Sequence, residues 1–181
     1  MDAFSDDFQK LLSTPDPPHL GPEHRAGTLS IREIDEPLTH LSNKTSKASQ
    51  SLIRATVYLW HDHLDEAHTL AQAIETADGS YLHGIMHRRE PDYSNARYWF
   101  NRVGKHPCFA LLAKRSREIL ASGSVPELTR AANKSEWDPY AFIDACQRVA
   151  KTQNTQEIQI LRQIQAAELE ILLRHFSAEA V

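Results

Sequence analysis

The stretch SLIRATVYLWHDHLDEAHTLAQAIET, residues 51–76, decides the fold class. Ile53, Val57, Trp60, Leu64, Ala67, Ala71 and Ile74 recur at steps of three and four, the spacing that places side chains on one face of an α-helix. Leu52, Leu59 and Leu70 widen the apolar arc. A helix this apolar over so much of its circumference is expected at the centre of a bundle rather than on its edge. The pattern predicts one central helix over about 51–76, ended by ADGS at 77–80, where Gly79 can adopt the left-handed conformation that closes helices.

Toward the N-terminus the pattern weakens. Residues 28–49 carry Pro37 and many polar side chains and support at best a short helix over about Ile31 to Leu41. STPDPPHLGPEHRAG, residues 13–27, is too rich in Pro and Gly to stay helical. With a short helix within residues 1–12, the segment 1–27 reads as an extended, partly disordered arm. Residues 28–181 read as one helical domain.

Toward the C-terminus, helices are expected at about 80–89, stopped by Pro91, and from an Asp92 or Ser94 cap to Gly104. Others follow from KHPCF to about 121, from Pro126 to Asn133, from Tyr140 to Lys151, and from Thr155 to Phe176. The last carries Ile158, Leu161, Ile164, Leu169, Leu172 and Phe176 as an apolar stripe, which suits its own domain or a second copy of the chain. No run sustains the two-residue alternation of a strand, so the fold class is all-α: a single-domain helical bundle with a Pro-rich N-terminal arm and a long C-terminal helix.

The bulk chemistry excludes several classes. A net charge of −4 supplies no overall attraction for nucleic acid. The short cluster Lys114, Arg115 and Arg117 is countered by Glu118 and reads as a solvated helix face. No stretch approaches the length of an apolar membrane span, and MDAFSDDFQK lacks the basic and apolar regions of a signal peptide. Cys108 and Cys146 stand apart, outside any CxxC spacing, as in a reducing compartment. A soluble cytoplasmic protein is the expectation. Phosphate loops and dinucleotide fingerprints are missing, and no serine or cysteine sits in a nucleophile motif.

What remains is a concentration of polar chemistry between residues 59 and 102. On a helix turning roughly 100° per residue, His61, Asp65 and His68 share one stripe at the border of the apolar arc, able to converge on a metal ion. His83 and His87 form a second pair four residues apart that can supply imidazoles from a facing helix. The expected metal set is therefore His61, Asp65, His68, His83 and His87, with a divalent metal ion as the cofactor. His68 with Asp65, and His87 with Glu90, are the candidate acid–base pairs. Arg88, Arg89 and Arg102 offer forked donors for carboxylate or phosphate, and Tyr93, Asn95 and Tyr98 offer polar contacts beside them, a pocket suited to a small anionic ligand.

The block LWHDHLDEAHTLAQ with DGSYLHGIMHRREPDYSNARYWFNRVGKHP, within residues 59–107, resembles a family of uncharacterised proteins of bacteria and fungi, a likeness that implies no activity. Gly84, Tyr93, Ala96, Phe100 and Val103, with LDEA at 64–67, are more weakly similar to tetratricopeptide repeats. Ala67 and Ala96 are 29 positions apart where the repeat has about 34, so the likeness implies helical-hairpin packing and not a repeat array. Two functions are then in view. One is a metal- or anion-binding pocket with acid–base or metal-assisted chemistry. The other is a non-catalytic helical interaction module in which the same polar groups are satisfied internally.

Overall fold

The computed structural model describes residues 6–41, 46–131 and 135–178. Within them ten helices follow in order: α1 (Asp6–Leu11), α2 (Ile31–Leu41), α3 (Lys47–Trp60), α4 (Leu64–Ala71), α5 (Ala77–Arg89), α6 (Tyr93–Val103), α7 (Cys108–Leu120), α8 (Pro126–Ala131), α9 (Pro139–Thr152) and α10 (Thr155–Ala178). There is no strand among the described residues, and the protein is an all-α, single-domain helical bundle.

α3 and α10 form the centre. α10 packs on α3, α7 and α9, while α3 also meets α2, α4 and α5. Ile53, Leu59, Leu82, Ile85, Phe142 and Phe176 are fully enclosed between these helices. The apolar stripe of α10 is thus consumed inside its own chain: Leu161, Ile164, Leu169 and Leu172 are completely buried. The expectation that this stripe offers a homo-oligomer interface loses its basis.

α5 and α6 form the most extensively packed hairpin. Their approach depends on Gly84, where an added Cβ would lie 2.7 Å from the Phe100 ring. Asp92 caps α6 by accepting the Asn95 amide at 3.2 Å, and Gly104 closes it with a positive φ of 62°.

Two expectations give way here. The single helix over 51–76 is two helices, α3 and α4, joined by a turn at His61-Asp62-His63 in which Asp62 has φ 68°. Aspartate tolerates this conformation better than most residues, and its carboxylate is held there by two arginines from distant segments. Gly79 does not end a helix; it lies in the first turn of α5, whose N-cap Thr76 accepts its amide at 3.2 Å. Gly79 is needed for space, because a Cβ would fall 2.1 Å from the Ile74 carbonyl oxygen.

The described part of the Pro-rich arm, residues 6–27, belongs to the fold; residues 1–5 lie outside the described residues. Phe8 and Leu11 of α1 enter the core. The extended segment that follows is gripped by side chains from the bundle: Arg162 donates to the Pro17 carbonyl at 2.5 Å, Gln165 to that of His19 at 2.6 Å, and Arg89 to that of Gly21 at 3.1 Å. An extended chain has backbone groups that no helix satisfies, and these donors satisfy them.

Candidate metal centre

α4 and α5 pack against each other, and this contact brings His68 to His83 and His87. The four-residue step puts His83 and His87 on one face of α5, with rings stacked at 5.2 Å and 10°. The His68 ring stands edge-on to both, 4.7 Å from His83 and 5.6 Å from His87. One ring nitrogen from each residue lies within 4.8 Å of the other two, close enough to share a cation after small rotamer changes.

Each imidazole has a different setting. His83 is 4 % exposed and sandwiched against Trp99 of α6, ring on ring at 4.0 Å and 5°. Its Nδ1 is buried without a hydrogen-bond partner among the described residues. Burial, reinforced by His68 and His87, pushes the His83 pKa down to about 4, so the ring is neutral at pH 7. His87 is shifted down as well, by burial first, while Glu90 opposes the shift. His87 Nδ1 lies 3.1 Å from a Glu90 oxygen, and Asn95 Nδ2 donates to His87 Nε2 at 3.0 Å. With the proton on Nδ1 facing Glu90, the Nε2 lone pair accepts from the Asn95 amide, which must rotate away before Nε2 can ligate, while Glu90 orients the ring as carboxylates orient metal-binding histidines. His68 is half-buried and forms the rim.

The other residues of the expected site are placed elsewhere. His61 is fully buried in the α3–α4 turn and does not join the cluster; Leu29 donates its amide to Nδ1 at 3.0 Å and Nε2 meets the Leu11 carbonyl at 2.7 Å. Both nitrogens serve the arm, which leaves no lone pair for a metal. Asp65 sits exposed in the first turn of α4, because the turn at Asp62 rotates α4 out of register with α3. Arg88 is enclosed in the core, pairing with Glu168 at 2.5 Å and Gln165 at 3.2 Å, with its guanidinium 4.2 Å from the Phe142 ring centre. Arg89 is equally enclosed and pairs with Asp62 at 2.6 Å. Burial lowers its pKa to about 10 against the opposing pull of Asp62. Both guanidiniums are enclosed and paired with carboxylates inside the protein.

Tyr93 is half-buried and lines a groove of about 440 Å³ with His19, Glu23, Cys146 and Arg162, away from the imidazoles. Tyr98 is exposed and touches Trp99 edge-on, and the exposed Arg102 places its guanidinium 5.4 Å from the Trp99 ring centre. Of the expected anion-binding residues, Asn95, Tyr98 and Arg102 therefore stand beside the cluster, through His87 or Trp99.

Three residues central to this geometry carry no readable signal in the sequence. Trp99 reads as one apolar position of α6, yet it is the floor under His83. Asp62 and Arg25 form the buried pair that sets the turn, with Arg25 Nε donating to Asp62 at 2.8 Å across 37 positions of sequence.

Comparison of the chain with protein-family models, curated proteins and solved structures finds no match. No helix among the described residues is long and apolar enough to cross a membrane.

Proposed function

We propose that the protein binds a late first-row divalent cation, zinc or copper, through His68, His83 and His87, and uses the open side of that centre to engage a small anionic molecule. The observation that carries this reading is the buried, unpartnered Nδ1 of His83 within a cluster of three imidazoles. A buried polar atom without a partner is uncommon and calls for an ion or a water. Three neutral nitrogen donors suit zinc, copper or nickel and not calcium or magnesium. The His83 ring, already neutral at pH 7, releases no proton when it ligates, which favours binding.

Three protein ligands leave a fourth position for water, the pattern of catalytic rather than structural zinc sites. Held by these three imidazoles, zinc would supply Lewis-acid chemistry suited to metal-assisted hydrolysis at its open side. Arg102, standing over the ring that supports His83, is placed to draw a carboxylate or phosphate to the rim.

The test is elemental analysis of untagged protein purified without chelator, followed by zinc titration of chelator-treated protein. The expected result is one equivalent lost in both His68→Ala and His87→Ala with the helical content unchanged. Equal zinc uptake by the two variants and the wild type would overturn the reading.

A further inference from the structure

A second constellation lies on another part of α5. Asp78, in its first turn, places Oδ1 2.9 Å from His106 Nε2 and 3.4 Å from His175 Nε2. Cys108, the first residue of α7, joins the two imidazoles: its sulfur and one nitrogen from each of His106 and His175 lie within 4.8 Å of one another, a set to which Asp78 is tied through its contacts with both histidines. The four residues come from the start of α5, the link between α6 and α7, the start of α7 and the last turns of α10. Cys108 and His106 are buried, while Asp78 and His175 retain side-chain exposures of 22 % and 20 %, so the cluster opens to solvent on one side.

We infer that Asp78, His106, Cys108 and His175 form a second cation site, closed by four protein ligands and structural in character. Tetrahedral zinc at 2.0–2.3 Å from its donors needs donor–donor separations of about 3.3–3.8 Å. The oxygen and two imidazole nitrogens are already at 2.9 and 3.4 Å, near that spacing without an ion. One carboxylate, two imidazoles and one thiolate are a donor set for zinc or cobalt rather than for calcium or magnesium.

Binding has a definite proton balance. The Cys108 thiol loses its proton to solvent as sulfur bonds the cation. The His106 proton directed at Asp78 moves from Nε2 to Nδ1, freeing Nε2 to ligate. Nδ1 now accepts the Cys108 amide at 3.2 Å, so that amide must turn away. It is a first-turn amide, which no intrahelical carbonyl claims. The clasp ties the C-terminal part of α10 to the start of α5 and α7, so occupancy stabilises the fold by mass action.

Cobalt(II) titration of chelator-treated, full-length protein under reducing conditions reads this site separately from the three-histidine centre, which has no sulfur. The expected result is a near-ultraviolet thiolate-to-cobalt charge-transfer band in the wild type and in His68→Ala. The band is lost in Cys108→Ser, and the affinity that it reports falls tenfold or more in Asp78→Asn and His175→Ala. Bound cobalt without the band in the wild type, or a band that survives Cys108→Ser and so belongs to Cys146, would overturn the inference. Because His175 is partly exposed, His175→Ala keeps the test decisive if Cys108→Ser folds poorly; unchanged affinity there would equally overturn it. Loss of the three-histidine centre would leave the band intact, so the two sites fail independently.

Discussion

His61 and His83 are both buried imidazoles in the same bundle, and their surroundings differ in one respect. His61 has a backbone partner on each nitrogen. Around it Asp62 holds Arg25 and Arg89, and Arg89 also donates to the carbonyls of Leu59 and Gly21. His83 has aromatic rings on its faces and a nitrogen with no hydrogen bond among the described residues. A buried polar group that is fully satisfied fixes a conformation, whereas one left unsatisfied costs stability until something binds it. The first region is a latch for the arm, and the second is the one we propose as a receptor.

The largest effect that tests this contrast is expected at the latch. Asp62→Ala leaves two arginines buried without their carboxylate and should lower unfolding free energy by about 3–5 kcal/mol in urea denaturation. A loss below about 1 kcal/mol would mean that water reaches the arginines and that the latch is not closed. Zinc stoichiometry of the folded fraction should not change.

His61→Ala should cost about 2–3 kcal/mol, since it removes two buried hydrogen bonds. It should also change the acid profile. Burial holds the His61 pKa below its ordinary value, with Arg25 and His63 adding to the shift and the Leu11 carbonyl and Asp62 opposing it. Its contribution is therefore complete above pH of about 6.5 and is lost as pH falls through the lower folded-state value. His83 and His87 act in the same direction in metal-free protein. Chemical denaturation between pH 7 and 5 should show a shallower loss in the variant; an identical slope would remove His61 from the acid response.

Gly84→Ala should destabilise by about 1–2 kcal/mol, the overlap with Phe100 outweighing alanine's better helix propensity. Because α6 carries Trp99, the same change should weaken zinc binding by displacing the ring beneath His83. Unchanged affinity would show that Trp99 does not position the imidazole.

The smallest stability effect belongs to the receptor. Glu90→Gln should change unfolding free energy by no more than about 0.5 kcal/mol in chelator, since Glu90 is half-buried at the end of α5. Its effect should appear in zinc affinity, 10–100-fold weaker by calorimetric titration, through the loss of a carboxylate that orients His87. The opposite outcome, stability lost and affinity kept, would turn the receptor into another latch.

Local rules made much of this molecule readable. Ile31–Leu41 is a helix despite Pro37, and Pro139 and Thr155 open α9 and α10 within a residue of where propensity places them. The face shared by His83 and His87 follows from a four-residue step alone. The break between α3 and α4 was not legible, because periodicity runs through it and its cause is a carboxylate paired with Arg25 and Arg89, which are 37 and 27 positions away. The same distance hid the roles of Arg88 and Arg89: adjacent on the chain, one reaches Glu168 on α10 and the other the α3–α4 turn. Gly79 shows a different limit, since closing a helix and admitting a close backbone contact call for the same residue.

The grip of α10 on the arm has a consequence for how the molecule is made. Arg162 and Gln165 hold carbonyls 145 and 146 positions earlier in the chain. During synthesis, the segment around Pro17 leaves the ribosome long before the donors that satisfy its backbone exist. Contacts of such sequence separation form late, after slow loop closure. A nascent chain therefore carries an unfastened, proline-rich strap until α10 emerges, and a chain halted before residue 162 can pair Asp62 with its arginines but cannot close the strap.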